Sequence, residues 1–240
     1  MRKKIILFLL LFCSNFLLGV IVERDSIVSV LEYLELHDYG PQTLLVFDID
    51  NTIAETYPTE HGGDQWFFAM VDYHMKQGYE YYDAVKAVIP LYAELQNKTQ
   101  LTLIEPFIIE LMRDLKKKGI KIIALTARPS LLLECVIQQL KEIGIIFDDF
   151  ESIMIDGYQN DHYCMQKGII ASGLLGNKKG EVLFEILKHL NFIPETLIYI
   201  DDKKKHVANV ISEAEKRNIK KIIGIRYSRL DEKVRSYSLK

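Results

Sequence analysis

An apolar run over residues 44–47 stops abruptly at Asp48-Ile49-Asp50-Asn51-Thr52. Runs of that length suit a strand buried on both faces of a parallel sheet, and such sheets place their chemistry beyond the carboxyl ends of their strands. The segment therefore points to an α/β architecture with Asp48 and Asp50 at one rim. Taken alone, the same residues also describe an Asp- and Asn-rich turn closing an ordinary strand.

The remainder of the chain decides between these readings by repetition. Residues 120–125 form a second apolar run, ending in Thr126-Ala127-Arg128-Pro129, and residues 197–200 form a third, ending in Asp201-Asp202. A short strand over 153–155 and a last one over 221–225 complete the expected set, with 163–172 read as an extended excursion or a hairpin. Helical spacing and punctuation fall between the strands. Ser26 caps a helix over 26–36, Pro106 opens one that ends at Gly119 behind Lys116, Lys117 and Lys118, and others stop near Gly144, follow Asn177-Lys178-Lys179-Gly180, and span 203–217. Repeated βα units predict a doubly wound parallel sheet with right-handed crossovers. After the first rim the pattern turns irregular through His61-Gly62-Gly63 and then helical over 64–76 and 81–95. This predicts a core over 20–56 and 103–240 carrying a helical insertion over 57–102.

The amino terminus reads as export. Arg2-Lys3-Lys4 precedes an apolar stretch over 5–22, the pattern of a secretory leader spanning 1–19 with cleavage near Gly19; an uncleaved membrane anchor is the alternative. Periplasmic or secreted localisation is the expectation. The net charge of −3 becomes −6 without those three cations, which argues against nucleic-acid or anionic-membrane binding and for a small partner. Cys135 and Cys164 could pair in such a compartment, but Cys135 falls among helical leucines, the setting of a buried free thiol. The six histidines, His206 beside the third rim among them, show no metal-ligand spacing.

Three strand ends and one helix start thus bring Asp48, Asp50, Thr52, Thr126, Lys179, Asp201 and Asp202 toward one polar rim. In their order the motifs DIDNT, the Thr of LTAR, a Lys and DD resemble the haloacid dehalogenase superfamily of aspartate-nucleophile phosphohydrolases, over roughly residues 43–225. The resemblance implies a magnesium-dependent phosphatase with a helical cap inserted after the first motif. It also implies that the backbone carbonyl of Asp50 joins Asp48 and Asp201 around the ion, with Asp202 either a further ligand or a supporting residue that caps the next helix.

Physical chemistry supports the same roles. Asp48 is the expected nucleophile, and Asp50 the general acid and later base, kept partly protonated where acids crowd. Magnesium, a hard ion content with a few carboxylates, waters and substrate oxygens, would let a phosphate dianion approach these acids. Lys179, with Lys178 as alternative, would balance charge, and Thr126 would donate to a phosphate oxygen or simply cap the next helix. Thr52 is a substrate-side candidate. Arg128 is read either as binding a substrate anion or as pairing with an acid, and Trp66, with Phe67, either as touching the leaving group or as core. The expected substrate is a small phosphomonoester. A phosphotransferase, or a non-catalytic metal- and ligand-binding module or secreted effector, is the rival.

Overall fold

The computed structural model describes residues 19–35, 39–57, 62–150, 152–155, 163–174 and 178–239. The expected leader, apart from Gly19, and His37, His61 and His162 lie outside them. In chain order the elements are β1 (Val20–Arg24), α1 (Ile27–Glu35), β2 (Thr43–Phe47), β3 (Ala54–Tyr57), α2 (Asp64–Lys76), α3 (Tyr81–Gln96), β4 (Gln100–Leu103), α4 (Ile108–Lys117), β5 (Lys121–Thr126), α5 (Leu133–Glu142), β6 (Ile153–Ile155), β7 (Tyr163–Gln166), β8 (Ile169–Ala171), α6 (Lys179–His189), β9 (Thr196–Asp201), α7 (Lys204–Lys216), β10 (Lys221–Tyr227) and α8 (Asp231–Ser236).

The main sheet has the order β1-β10-β9-β2-β5-β8-β7-β6 and is parallel from β1 through β8. Successive side chains of its central strands point to opposite faces, so each strand feeds two cores. Leu45, Phe47, Ile122, Ala124, Ile198 and Ile200 face α1, α4 and α5. Leu44, Val46, Ile123, Leu125, Leu197 and Tyr199 face α6 and α7. Every residue of β2 is buried, and truncating Leu44 or Leu45 to Ala is expected to destabilise by about 2–5 kcal/mol. This is the doubly wound α/β fold expected from the sequence. At the start of α1, Ser26 Oγ accepts from Ser29 N at 3.1 Å, the expected cap.

Three differences from expectation have physical reasons. Val20–Arg24 is an edge strand parallel to β10, hidden in the sequence because its apolar residues run on from the leader. The strand over 153–155 lies outside the parallel set: it sits at the edge, antiparallel to β7, while β8 follows β5 in the sheet. The β7–β8 reversal turns on Lys167 and Gly168, both at positive φ (46° and 71°), the backbone of a tight primed turn. A Cβ at Gly168 would lie 2.8 Å from Phe147 Cβ, so glycine is required there for space as well as for φ. Finally, α4 begins at Ile108, with Pro106 in the turn before it.

The insertion leaves and re-enters the core through an antiparallel ribbon, with Ala54 opposite Leu103 and Tyr57 opposite Gln100. Above it α2 and α3 enclose a small core of Trp66, Phe67, Val71, Ala84, Val85, Val88 and Tyr92. The two cap helices fall within a residue of their expected bounds, and the ribbon straddles both expected boundaries of the insertion.

Candidate active site

Parallel pairing sets the carboxyl ends of β2, β5 and β9 side by side, and the site forms there. Asp48 follows β2 directly and is tied to the neighbouring strand by its own N–H, which donates to Ile200 O at 2.8 Å. The next residues wrap into a tight turn in which Asn51 adopts φ 61°, a left-handed conformation that Asn tolerates. Asp201 ends β9, Thr126 ends β5, and Lys179 opens α6.

Lys179 joins the two acids. Its Nζ donates to Asp48 Oδ1 at 2.5 Å and to Asp201 Oδ2 at 2.7 Å, and all three side chains are buried. Burial alone would lower the lysine's pKa, but Asp201 and Asp48 hold it above its ordinary value. Asp201 also accepts from Lys203 N at 2.7 Å and from the Tyr199 hydroxyl, and His206 Nδ1 lies 3.3 Å from Oδ2. With so many donors its carboxyl is held low by Lys179 and His206 against the effect of burial. Asp48 has fewer partners, and burial with the nearby Asp201 charge pushes its carboxyl up to about 7. Lys178 is exposed and pairs with Glu181 at 3.3 Å, so Lys179 is the lysine of the site.

Asp48, Asp201 and Asp202 bring one carboxylate oxygen each within 4.8 Å of one another. Asp202 Oδ1 is buried without a hydrogen-bond partner, and burial together with Asp48 raises its carboxyl well above the ordinary value. Three hard oxygen donors, one of them orphaned, fit a divalent cation such as magnesium.

Other expected site residues take different places. Arg128 is only 3% exposed, and its guanidinium is spent on protein groups. Nη2 and Nε donate to Asp50 Oδ1 and Oδ2 at 2.6 and 2.9 Å, and Nη1 donates to Gln96 Oε1 and Gln139 Oε1 at 2.6 and 3.1 Å. This corrects the reading of Arg128 as a substrate-anion ligand in favour of the acid-pairing alternative. It also corrects the protonation expected for Asp50: burial would raise its carboxyl, but the charge and hydrogen bonds of Arg128 hold it below the usual range.

Trp66 is 5% exposed and stacks at 6.4 Å on Tyr92 inside the cap, so core packing replaces leaving-group contact. Thr52 is buried, too: its hydroxyl accepts from Asp202 N at 3.1 Å and lies 3.5 Å from Asp48 Oδ2. It links the two acidic loops rather than lining open space. Thr126 Oγ1 accepts from Arg128 N at 3.1 Å, which leaves its own hydrogen free to donate. Cys135 and Cys164 are free thiols.

Sequence reasoning overlooked several contributors. Tyr199 stands two residues before Asp201 and so on the same strand face, a spacing that could have revealed it. Lys203 bonds Asp64 of the cap at 2.6 Å and lies 4.7 Å over the Phe68 ring. Gln65 Nε2 donates to Asn51 Oδ1 at 2.8 Å. These contacts seat the first turn of α2 on the loop that follows Asp48. An open cleft of about 340 Å³ lies beside them, reaching Lys179 at its inner end.

The family model described as protein of unknown function (DUF2608) matches residues 23–239. A putative outer membrane protein of Chlamydia pneumoniae is 26% identical over 188 residues, covering 76% of this chain and 68% of that protein. Among solved structures, a phospho-aspartyl intermediate analogue of phosphoserine phosphatase aligns at TM-score 0.42 and 16% identity, over 81% of this chain and 98% of that one. A haloacid dehalogenase-like family hydrolase from Streptococcus pneumoniae aligns at TM-score 0.43 and 15% identity, again over 81% and 98%.

Proposed function

The chain belongs to the DUF2608 family, and we propose that it is an exported, magnesium-dependent phosphatase that hydrolyses a small phosphomonoester through an aspartyl-phosphate on Asp48. The observation that carries this reading is the buried Lys179 bridge between Asp48 and Asp201, set beside the orphaned carboxylate of Asp202 at the carboxyl edge of a parallel sheet. Such an arrangement of acids binds phosphate only with added positive charge, and it leaves one carboxylate placed to attack.

Asp48, Asp201 and Asp202 would hold the ion, which supplies charge neutralisation for the phosphoryl oxygens. Lys179 keeps Asp48 oriented and offsets charge on the nucleophile, while the Thr126 hydroxyl donates to a phosphoryl oxygen. Asp48 displaces the ester oxygen and becomes phosphorylated, and water then attacks the acyl-phosphate and regenerates the carboxylate. Asp50 is ionised in its pair with Arg128, the state suited to a base that draws a proton from that water. The leaving oxygen of the first step needs a proton, which Asp50 supplies once its carboxyl has loosened from the guanidinium and taken a proton from solvent; the proton it later draws from the attacking water replaces the one given up. The Chlamydia relative's description as an outer membrane protein accords with export, and among the described residues no helix is long and apolar enough to cross a membrane.

The test is phosphate release from a broad panel of phosphomonoesters with and without magnesium. Release that needs magnesium and disappears in Asp48→Asn is expected. Full activity in Asp48→Asn would remove the nucleophile, and no release from any ester despite bound magnesium would favour the non-catalytic alternative.

A further inference from the structure

The open cleft between cap and core carries aromatic and basic side chains beyond those that the chemistry at Asp48 uses. Its cap wall carries Phe68, Tyr81 and Tyr82, and its core wall carries Lys178, Lys205 and Asn209 beyond Lys179. Tyr81 and Tyr82 are 42% and 49% exposed and meet edge to face at 5.8 Å. Aromatic side chains left in a cleft offer a planar group a stacking surface.

The charges of the core wall are unequal in their commitments. Lys179 is consumed by Asp48 and Asp201, and Lys203 by Asp64. Lys178 has only its exposed contact with Glu181, a kind of pair that contributes little. Lys205 is exposed and has no carboxylate partner among the described residues. Two lysines of the cleft wall, Lys178 and Lys205, therefore carry charge that the acids of the site do not engage.

Resting on the phosphatase reading, we propose that this cleft receives the leaving group of the substrate, and that the leaving group is an aromatic ring bearing a second anionic group. Tyr81 and Tyr82 hold the ring, and Lys205 with Lys178 meets the second anion. A nucleoside bisphosphate and an anionic aryl phosphate share this chemistry.

Phosphate release by the full chain with magnesium tests the assignment with adenosine 3′,5′-bisphosphate, 4-carboxyphenyl phosphate, phenyl phosphate and glycerol 3-phosphate. Stacking is expected to contribute about tenfold and a solvent-facing ion pair about threefold. One of the two aromatic anions should thus exceed glycerol 3-phosphate in kcat/KM by about 30-fold, and which of them leads separates a nucleobase from an aryl ester. Lys205→Met should erase the advantage of the second anion through KM, and Tyr82→Leu should erase most of the advantage of the ring. Equal kcat/KM for all probes, or ratios unchanged in both variants, would overturn the proposal. Calorimetric binding of non-hydrolysable phosphonate analogues of the same probes to the native chain with magnesium gives a readout independent of turnover. The same order of affinities without hydrolysis by the native chain would overturn the phosphatase reading and support the cleft assignment; equal affinities would overturn the latter.

Discussion

Arg128→Met offers the most informative perturbation of this molecule. The guanidinium makes a two-pronged pair with Asp50, whose side chain is 16% exposed, and donates to two buried glutamine carbonyls, one of them from the cap. Methionine retains most of the apolar stem but leaves a nearly buried carboxylate without its counter-charge. Removing one partner of a buried pair is expected to destabilise by about 3–5 kcal/mol, most of it the exposed penalty of the stranded charge. Urea unfolding of the native chain, Arg128→Met, Asp50→Asn and the double variant measures this. Because the double variant strands no charge, the cycle should give a coupling energy of about 2–3 kcal/mol. Arg128→Lys should recover only part of the loss, since an ammonium cannot match both carboxylate oxygens. The sign with pH follows from the depressed carboxyl of Asp50. A group whose folded pKa is lowered contributes its stability above the unfolded value, so the native chain's margin over Arg128→Met should be full at neutral pH. The margin should shrink as pH falls through the folded pKa, below the ordinary carboxylate range. A loss under about 1 kcal/mol, with coupling near zero, would refute the reading of Arg128 as the buried counter-charge of Asp50.

Lys179→Met should abolish phosphate release and destabilise by about 3–5 kcal/mol, whereas Lys178→Met, at an exposed position, should move stability by no more than about 0.5 kcal/mol; urea midpoints and activity distinguish them. Magnesium should raise the melting temperature of the native chain, by the equivalent of about 2.7 kcal/mol at a hundredfold excess over its dissociation constant, and Asp202→Asn should abolish that shift while remaining folded. Burial raises both described thiols above their ordinary value. Cys135 and Cys164 should therefore alkylate slowly in the native protein near pH 8 and fully after denaturation. Mass spectrometry without reductant would instead show a mass two hydrogens lower if they were paired. Gly180→Ala puts a Cβ 2.9 Å from both Asn209 O and Glu213 Cγ where α6 crosses α7. It should cost about 1–3 kcal/mol in thermal or urea unfolding.

The parts of the fold legible in the sequence are those where one physical signal acts alone. The runs ending at Asp48, Thr126 and Asp201 are apolar because both faces of β2, β5 and β9 are covered, and the cap helices keep a helical period uninterrupted by tertiary demands. Val20–Arg24 was hidden because a leader and an edge strand are apolar for different reasons and abut. The ribbon strands, Ala54–Tyr57 and Gln100–Leu103, are short and half-exposed and leave no clear alternation. At the site, Asp48, Lys179, Asp201 and Asp202, expected at one rim from the motif spacing, lie beside one another. Which side chain Arg128 would choose was not legible, because Asp50 and Gln96 lie 78 and 32 residues away and meet it only through the geometry of the rim. Trp66 carried no mark distinguishing a cap interior from a substrate wall, since either environment favours an aromatic ring.

The β3–β4 ribbon carries a consequence for how such a protein can diversify. Because Ala54 and Leu103 are paired across it, the entry and exit of the insertion stay side by side whatever lies between them. Lengthening or exchanging the helices beyond Tyr57 and Gln100 changes the closure entropy only slowly with length and leaves the register of β2 and β5 untouched. The cap is in this sense an interchangeable cassette on a fixed socket. Descendants of one ancestral chain could acquire new ligand preferences by replacing it whole, while inheriting the acids and the lysine beneath it unaltered.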